Sequence, residues 1–192
     1  MIIKSTSLLI SFMGVDGSGK TFLSKKIKKL LPQSQYLHLK PYILIKDRRT
    51  VIKNPHNQKK STVFISLLRL LSWLISYKIF FLKNKKKKIY IFDRYAHDIL
   101  VDPTRYKHNL YKILTKFILS FFPTPDLWIF LKPTLKTIKS RKVELTENEM
   151  RRQIKEYSFF FKNKKNVLIL NTNTQSKILI KKIKKKIHSI IK

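Results

Sequence analysis

The chain contains no cysteine. That excludes disulfides, thiolate metal centres and cysteine nucleophiles, and it suits a reducing compartment. Carboxylates are scarce, with 10 acidic residues against 43 lysines and arginines in a chain of 192. Glu144, Glu147 and Glu149 are too few and too scattered to build a metal cluster. Within residues 1–13 the longest apolar run is Leu8 to Met13, too short for a secretory core, so a cytoplasmic address is expected. Small residues are nearly missing as well: Ala96 is the single alanine, and there are three glycines.

Lysine, isoleucine, asparagine and phenylalanine are abundant instead. This is the bias expected of coding DNA rich in A and T, and it bears on the formal net charge of +33. Such a charge ordinarily points to nucleic acid or an anionic membrane. Read as compositional drift, most of the lysines form a solvated face, and no specific nucleic-acid partner is expected. The field still attracts small anionic substrates. With 43% hydrophobic residues and 12% aromatics the chain can fill a core, and one domain spanning 1–192 is expected.

A chain that has lost nearly all its glycine keeps it where no side chain is tolerated. All three glycines, Gly14, Gly17 and Gly19, fall in one loop. The run Ser7 to Met13 before it reads as a buried strand, and Thr21 to Leu31 after it has helical spacing that Pro32 ends. Further strands are expected at 36–39, 89–92, 127–131 and 167–170. Helices are expected at 110–122, 134–142, 147–161 and 176–191, the last with one apolar stripe and a lysine-clad face. A basic loop over 46–60 and a basic turn over 84–88 complete the pattern.

The segment 62–82 is long and apolar enough to be confused with a membrane span, but Arg69 and Lys78 interrupt it. A core helix with two snorkelling cations is the expectation, with no transmembrane span. The same apolar surface could also serve a homodimer, and core burial accounts for the same residues. Strands alternating with helices define an α/β fold of three layers around a parallel sheet.

Gly14-Val15-Asp16-Gly17-Ser18-Gly19-Lys20-Thr21 matches the pattern G-x-x-x-x-G-K-[ST]. The backbone N–H groups of such a loop curl around phosphate oxygens, and the helix that follows presents its positive end to the same anion. Lys20 then reaches the β- and γ-phosphates, and the Thr21 hydroxyl ligates Mg²⁺. The expected ligand is ATP·Mg²⁺. Asp93-Arg94 closes another apolar strand, where parallel sheets place ligand groups. Asp93 is a candidate for the magnesium shell and Arg94 for gripping a phosphate. His97 and Asp98 are adjacent and read as an incidental exposed pair. Asp102 before Pro103 reads as a helix N-cap with Arg105 as a local partner, acceptor binding being the alternative. Arg151 and Arg152 read as a solvated face or a second set of lid cations.

These residues together resemble the thymidylate kinase family of P-loop nucleoside monophosphate kinases. The resemblance rests on the acidic P-loop at 14–21, on Asp93-Arg94-Tyr95, and on Pro125-Asp126-Leu127-Trp128-Ile129-Phe130-Leu131 ahead of a basic helix. It implies a kinase in which Arg94 meets the acceptor phosphate, Asp16 lies near the acceptor sugar, and Arg141 with Lys142 sits on a mobile lid around 132–149. Catalytic roles are thereby expected for Lys20, Asp93, Arg94 and Arg141. The chain departs from the family on the acceptor side. Leu39-Lys40-Pro41 stands where Arg-Glu-Pro is usual, and no Ser and Gln follow Asp-Arg-Tyr. The segments Val101-Asp102-Pro103-Thr104-Arg105-Tyr106 and Arg141-Lys142-Val143-Glu144 resemble a divergent branch. The acceptor expected is therefore a nucleoside monophosphate such as dTMP, with a sugar or surface-glycan precursor as the alternative. A nucleotide-dependent polyanion-binding protein and a kinase without turnover are the remaining readings.

Overall fold

A computed structural model describes residues 7–41, 59–84, 88–141 and 145–191. Most of the basic loop expected at 46–60, the centre of the turn at 84–88, and Lys142 and Glu144 lie outside the described residues. The chain forms two compact units, one of residues 1–38, 86–95 and 125–192, the other of 39–85 and 96–124.

The first unit holds a five-stranded sheet of β1 (Leu8–Met13), β2 (Ser34–His38), β3 (Ile89–Asp93), β4 (Leu127–Lys132) and β5 (Val167–Asn171). Its order is β2-β3-β1-β4-β5, and every neighbouring pair is parallel. The strands read as near-continuous apolar runs because helices cover both faces. Ile10, Phe12, Ile91, Ile129 and Leu131 point to one face, where they pack with Leu23 and Ile27 of α1 (Lys20–Leu30) and Leu179, Ile183 and Ile187 of α6 (Ser176–Ile191). Trp128 and Phe130 alternate to the other face and meet α5 (Glu147–Lys162), Phe130 lying on Phe161 at 5.1 Å and on Tyr157 at 5.7 Å. Each of these buried rings and aliphatic chains contributes about 1.5–3 kcal/mol by leaving water.

Helix boundaries follow capping chemistry. Thr146 caps α5 by accepting from the Glu149 N–H at 3.4 Å. The short α4 (Leu135–Arg141) precedes it, and Lys139 pairs with Glu147 across the two helices. Glu147 also holds Arg151 at 2.6 Å, and Glu149 holds Arg152 at 2.6 Å. Hydrogen bonds from Lys139 and then Arg151 keep the Glu147 carboxyl below its ordinary range. Asp126, the acid of the Pro-Asp-Leu-Trp run, exchanges two bonds with Leu9: its N–H donates to the Leu9 carbonyl, and its carboxylate accepts from the Leu9 N–H, each at 2.8 Å. It extends the β1–β4 ladder as a side chain in place of backbone.

The second unit contains α2 (Val63–Lys83), two 3₁₀ turns (Ala96–Leu100 and Thr104–Tyr106), and α3 (Lys112–Leu119). The turns fall where the sequence offers no helical period. The N-cap of the second turn is Pro103 and not Asp102 as expected, although Asp102 accepts from the Arg105 N–H at 3.2 Å, and Asp98 accepts from the Tyr106 hydroxyl at 2.7 Å. His97 and Asp98 are buried, contrary to the exposed pair expected, with His97 edge-on to Phe122. Arg69 does not snorkel. It donates to the Tyr106 carbonyl at 2.6 Å and to Ser61 Oγ at 2.9 Å, which closes the second 3₁₀ turn. Core burial accounts for one side of α2, through Leu70, Trp73, Tyr77 and Phe80, while Phe64, Ile65, Leu68, Leu71 and Ile75 are exposed. By length and composition alone α2 is a weak membrane-span candidate.

His108 makes one of the unit's buried polar contacts, Nε2 lying 2.8 Å from Thr115 Oγ1, with Nδ1 unpartnered. Burial, then the Arg69 charge, lowers its pKa from 6.5 to about 4. The unfolded chain therefore takes up a proton near pH 6.5 that the folded chain refuses until about pH 4. Stability from this group is intact above pH 6.5 and declines as the pH falls towards 4. Urea midpoints measured across that window are expected to drop, the His108 share being on the order of 2–3 kcal/mol, and His108→Gln should flatten the slope.

Candidate active site

The site grows from the turn that ends β1. Gly14 leaves the strand at φ 147°, and a Cβ built on it would stand 2.5 Å from the Leu131 carbonyl oxygen of β4. Only glycine lets the loop pass that close to the neighbouring strand. The loop then curls through Val15, Asp16, Gly17 and Ser18, with the Ser18 N–H bonded to the Val15 carbonyl at 3.1 Å. Gly19, in the left-handed region at φ 92°, is the N-cap of α1. It has no side chain to satisfy the first N–H groups, and the first turn carries no acid. Those donors and the positive end of the helix are a ready seat for phosphate.

Lys20 crosses this loop. Its Nζ donates to the Gly14 and Val15 carbonyls at 2.7 Å each and lies 3.8 Å from Asp16 Oδ1. Thr21 Oγ1 donates to Asp93 Oδ2 at 2.6 Å. That contact follows from strand parity: Asp93 is in register with Phe12, so it faces α1 as Phe12 does. β3 stops there because Arg94 turns at φ 72°, its N–H held by the Phe12 carbonyl at 3.0 Å. A non-glycine residue in that conformation costs about 1–2 kcal/mol, strain of the kind that collects at functional sites. The turn sends the Arg94 guanidinium back to an ion pair with Asp16. Lys20, Asp93 and Arg94 are all buried, so their charges must be met by partners of opposite sign.

Arg141 comes from α4 to the far side of the loop. Its Nη2 donates to the Thr172 carbonyl at 3.2 Å, and its Nη1 would lie 3.7 Å from a Cβ placed on Gly19. It borders a cavity of about 330 Å³ with Ser18, Gly19, Phe22, Thr172 and Thr174. Thr172 Oγ1 is buried there without a partner. The structure thus gathers Gly14 to Thr21, Asp93, Arg94 and Arg141 at the C-terminal ends of β1 and β3. Two residues of this neighbourhood have no motif in the sequence. Thr172 follows β5, and Tyr36 on β2 donates its hydroxyl to Asp93 Oδ2 at 2.8 Å. Only the register between β2 and β3 reveals Tyr36, and register is not written in a local pattern.

The donor set fits a hard divalent cation. Asp93 Oδ1 is buried with no partner while Oδ2 takes two hydrogen bonds, and the Thr21 hydroxyl oxygen is adjacent. Among the described residues, no group of three His, Cys, Asp or Glu could hold a metal by protein ligands alone. Such a site suits Mg²⁺, which keeps much of its coordination for water and phosphate oxygens.

A phosphate cradle that opens the first helix of a 2-3-1-4-5 parallel sheet, with an acid and an arginine closing the adjacent strand, defines a P-loop phosphotransferase. The thymidylate kinase family model matches residues 12–191, and the chain belongs to the thymidylate kinase family. It is a nucleotide kinase, and membership implies ATP as phosphate donor with Mg²⁺. Solved structures agree in fold. The deoxyadenosine kinase from M. mycoides with products dCMP and dCDP superposes with a TM-score of 0.63 at 21% identity, covering 94% of this chain and 98% of its own. Thymidylate kinase from Candida albicans gives 0.64 at 17% identity, covering 97% and 94%. Thymidylate kinase from Ehrlichia chaffeensis gives 0.63 at 17%, covering 95% and 99%. A search of curated proteins finds no match.

Proposed function

We propose that the protein transfers the γ-phosphate of ATP to a nucleoside monophosphate, with dTMP the first candidate. The observation that carries this reading is the Asp16–Arg94 pair, which sets a buried guanidinium beside the phosphate loop and next to the Lys20 ammonium.

In this reading the loop N–H groups and Lys20 hold the donor phosphates, and Arg141 meets them from the far side. Arg94, aimed by Asp16, holds the acceptor phosphate. Phosphoryl transfer asks for positioning and positive charge, and these three cations supply both. Thr21 and Asp93 would hold Mg²⁺, which would neutralise charge on the donor phosphates. An acceptor that is already a phosphate needs no general base, whereas a hydroxyl acceptor would call on Asp93 or Asp16. The cavity beside Ser18 and Arg141 is assigned to the rest of the donor nucleotide. Residues 132–149 act as the lid of a single kinase domain, excluding water from the transferring group.

Three contacts in the segments that depart from the family pattern favour the second acceptor class. Asp98 and Asp102 spend carboxylate oxygens on Tyr106 and the Arg105 N–H, and Lys40 lies over the Trp73 ring at 5.7 Å, where the family usually carries its Arg-Glu-Pro segment nearby. The deciding experiment is ATP consumption with Mg²⁺ across dTMP, the other nucleoside monophosphates and glycan precursors, with Lys20→Ala as blank. Turnover of dTMP at least about tenfold above other acceptors is expected, a discrimination of roughly 1.4 kcal/mol. Rejection of every nucleotide while ATP still binds would move the acceptor to the non-nucleotide class.

A further inference from the structure

β2 and β3 run parallel with Tyr36 opposite Ile91 and His38 opposite Asp93. Tyr36 and Asp93 therefore lie on one face of the sheet, one diagonal step apart, within reach for a long side chain. The Tyr36 hydroxyl donates to Asp93 Oδ2 at 2.8 Å and the Thr21 hydroxyl to the same oxygen at 2.6 Å. Asp93 Oδ1 is buried and has no partner. A carboxylate can exchange its two oxygens by rotating about one bond, and a single donor on either oxygen resists that weakly. Two donors on Oδ2, one from a strand and one from a helix, resist it from both sides.

We propose that Tyr36 is a positioning residue whose hydroxyl fixes the Asp93 carboxylate so that Oδ1 is kept free for the divalent cation beside Thr21. The proposal rests on the phosphotransfer reading, in which Asp93 and Thr21 hold Mg²⁺. Both hydroxyl protons stay on Oδ2, so the Thr21 oxygen keeps its lone pairs for the cation. A tyrosine on a paired strand suits the task because its backbone is fixed by the sheet, and groups of this kind set the orientation of the residues that touch a metal.

The test is a titration of Mn²⁺, followed by electron paramagnetic resonance, into the full chain saturated with ADP. Tyr36→Phe removes one hydroxyl and keeps the ring. The expected result is a dissociation constant for Mn²⁺ raised about tenfold, with the number of sites and the affinity for ADP in EDTA unchanged. Asp93→Asn serves as the reference and should weaken Mn²⁺ binding further. If Asp93→Asn weakens binding and Tyr36→Phe does not, the role of Tyr36 is overturned and the metal assignment stands. If neither change moves the dissociation constant, the metal assignment fails and the proposal falls with it. Fewer sites at an unchanged dissociation constant would mean that Tyr36 supports folding only, which also overturns it.

Discussion

Arg94→Ala is expected to slow phosphoryl transfer by about 10²- to 10³-fold while ATP affinity changes by no more than about threefold. The guanidinium is buried against Asp16 at the end of β3, one residue beyond the acid that faces Thr21. It stands by the loop without belonging to it, and its loss leaves the N–H cradle and Lys20 in place. Arg94→Lys should recover little, because an ammonium cannot grip a phosphate through two parallel bonds. Stability should respond differently from rate. Alanine leaves Asp16 without its main cation and keeps the strained backbone at φ 72°, whereas Arg94→Gly removes about 1 kcal/mol of that strain. The two variants should therefore be equally slow, with the glycine variant melting higher. Single-turnover transfer and equilibrium ATP binding, measured side by side, decide the point. Equal losses in both would place Arg94 on the donor.

Gly14→Ala is expected to be the most damaging methyl that can be added to any of the three glycines. The new Cβ would stand 2.5 Å from the Leu131 carbonyl oxygen and 3.0 Å from Ser18 Oγ, at a φ of 147° that L-residues avoid. Neither β1 nor β4 can withdraw, since both are paired on each side in the sheet. A loss on the order of 3–5 kcal/mol follows, a large part of the stability of an ordinary domain. Gly19→Ala is the instructive contrast. Its Cβ would meet only Arg141 Nη1, at 3.7 Å, so backbone strain at φ 92° is its main penalty. Thermal melts should show Gly14→Ala depleted of folded protein and Gly19→Ala folded but poor at binding ATP. A wild-type melting temperature for Gly14→Ala would refute the close approach to β4.

The sheet and the phosphate loop were legible because their signals are local. Apolar runs closed by turn residues marked all five strands, although β2 begins earlier than expected, at Ser34, and ends at His38, where Leu39 turns at φ 58°. Compositional bias helped, since glycine survived only where backbone geometry demands it. What escaped depends on distant pairing. Tyr36 acquires its meaning from the register of β2 on β3, and Thr172 from the cavity beside α1. Arg69 looked like a cation in an apolar helix, and only its carbonyl partners near Lys107 explain its position. The burial of His97 and Asp98 is invisible in sequence because a 3₁₀ turn has no hydrophobic period to betray its buried side. Least legible were the segments that depart from the family pattern, since their partners lie far off in sequence: the Leu39 carbonyl accepts from the Tyr77 hydroxyl, and Lys40 lies over the Trp73 ring.

The strand order also bears on how the chain is made. β1 leaves the ribosome first, yet its partners are β3 and β4, so Leu8 must wait for Ile89 and Ile10 for Leu127. β1 therefore has no neighbour until β3 (Ile89–Asp93) is made, and closing so long a loop makes the nucleus slow to form. During that interval the lysines that dilute the nascent chain keep copies apart by mutual repulsion. Cations that lie outside the site thereby help to keep the strand on which the site is built from meeting its copies.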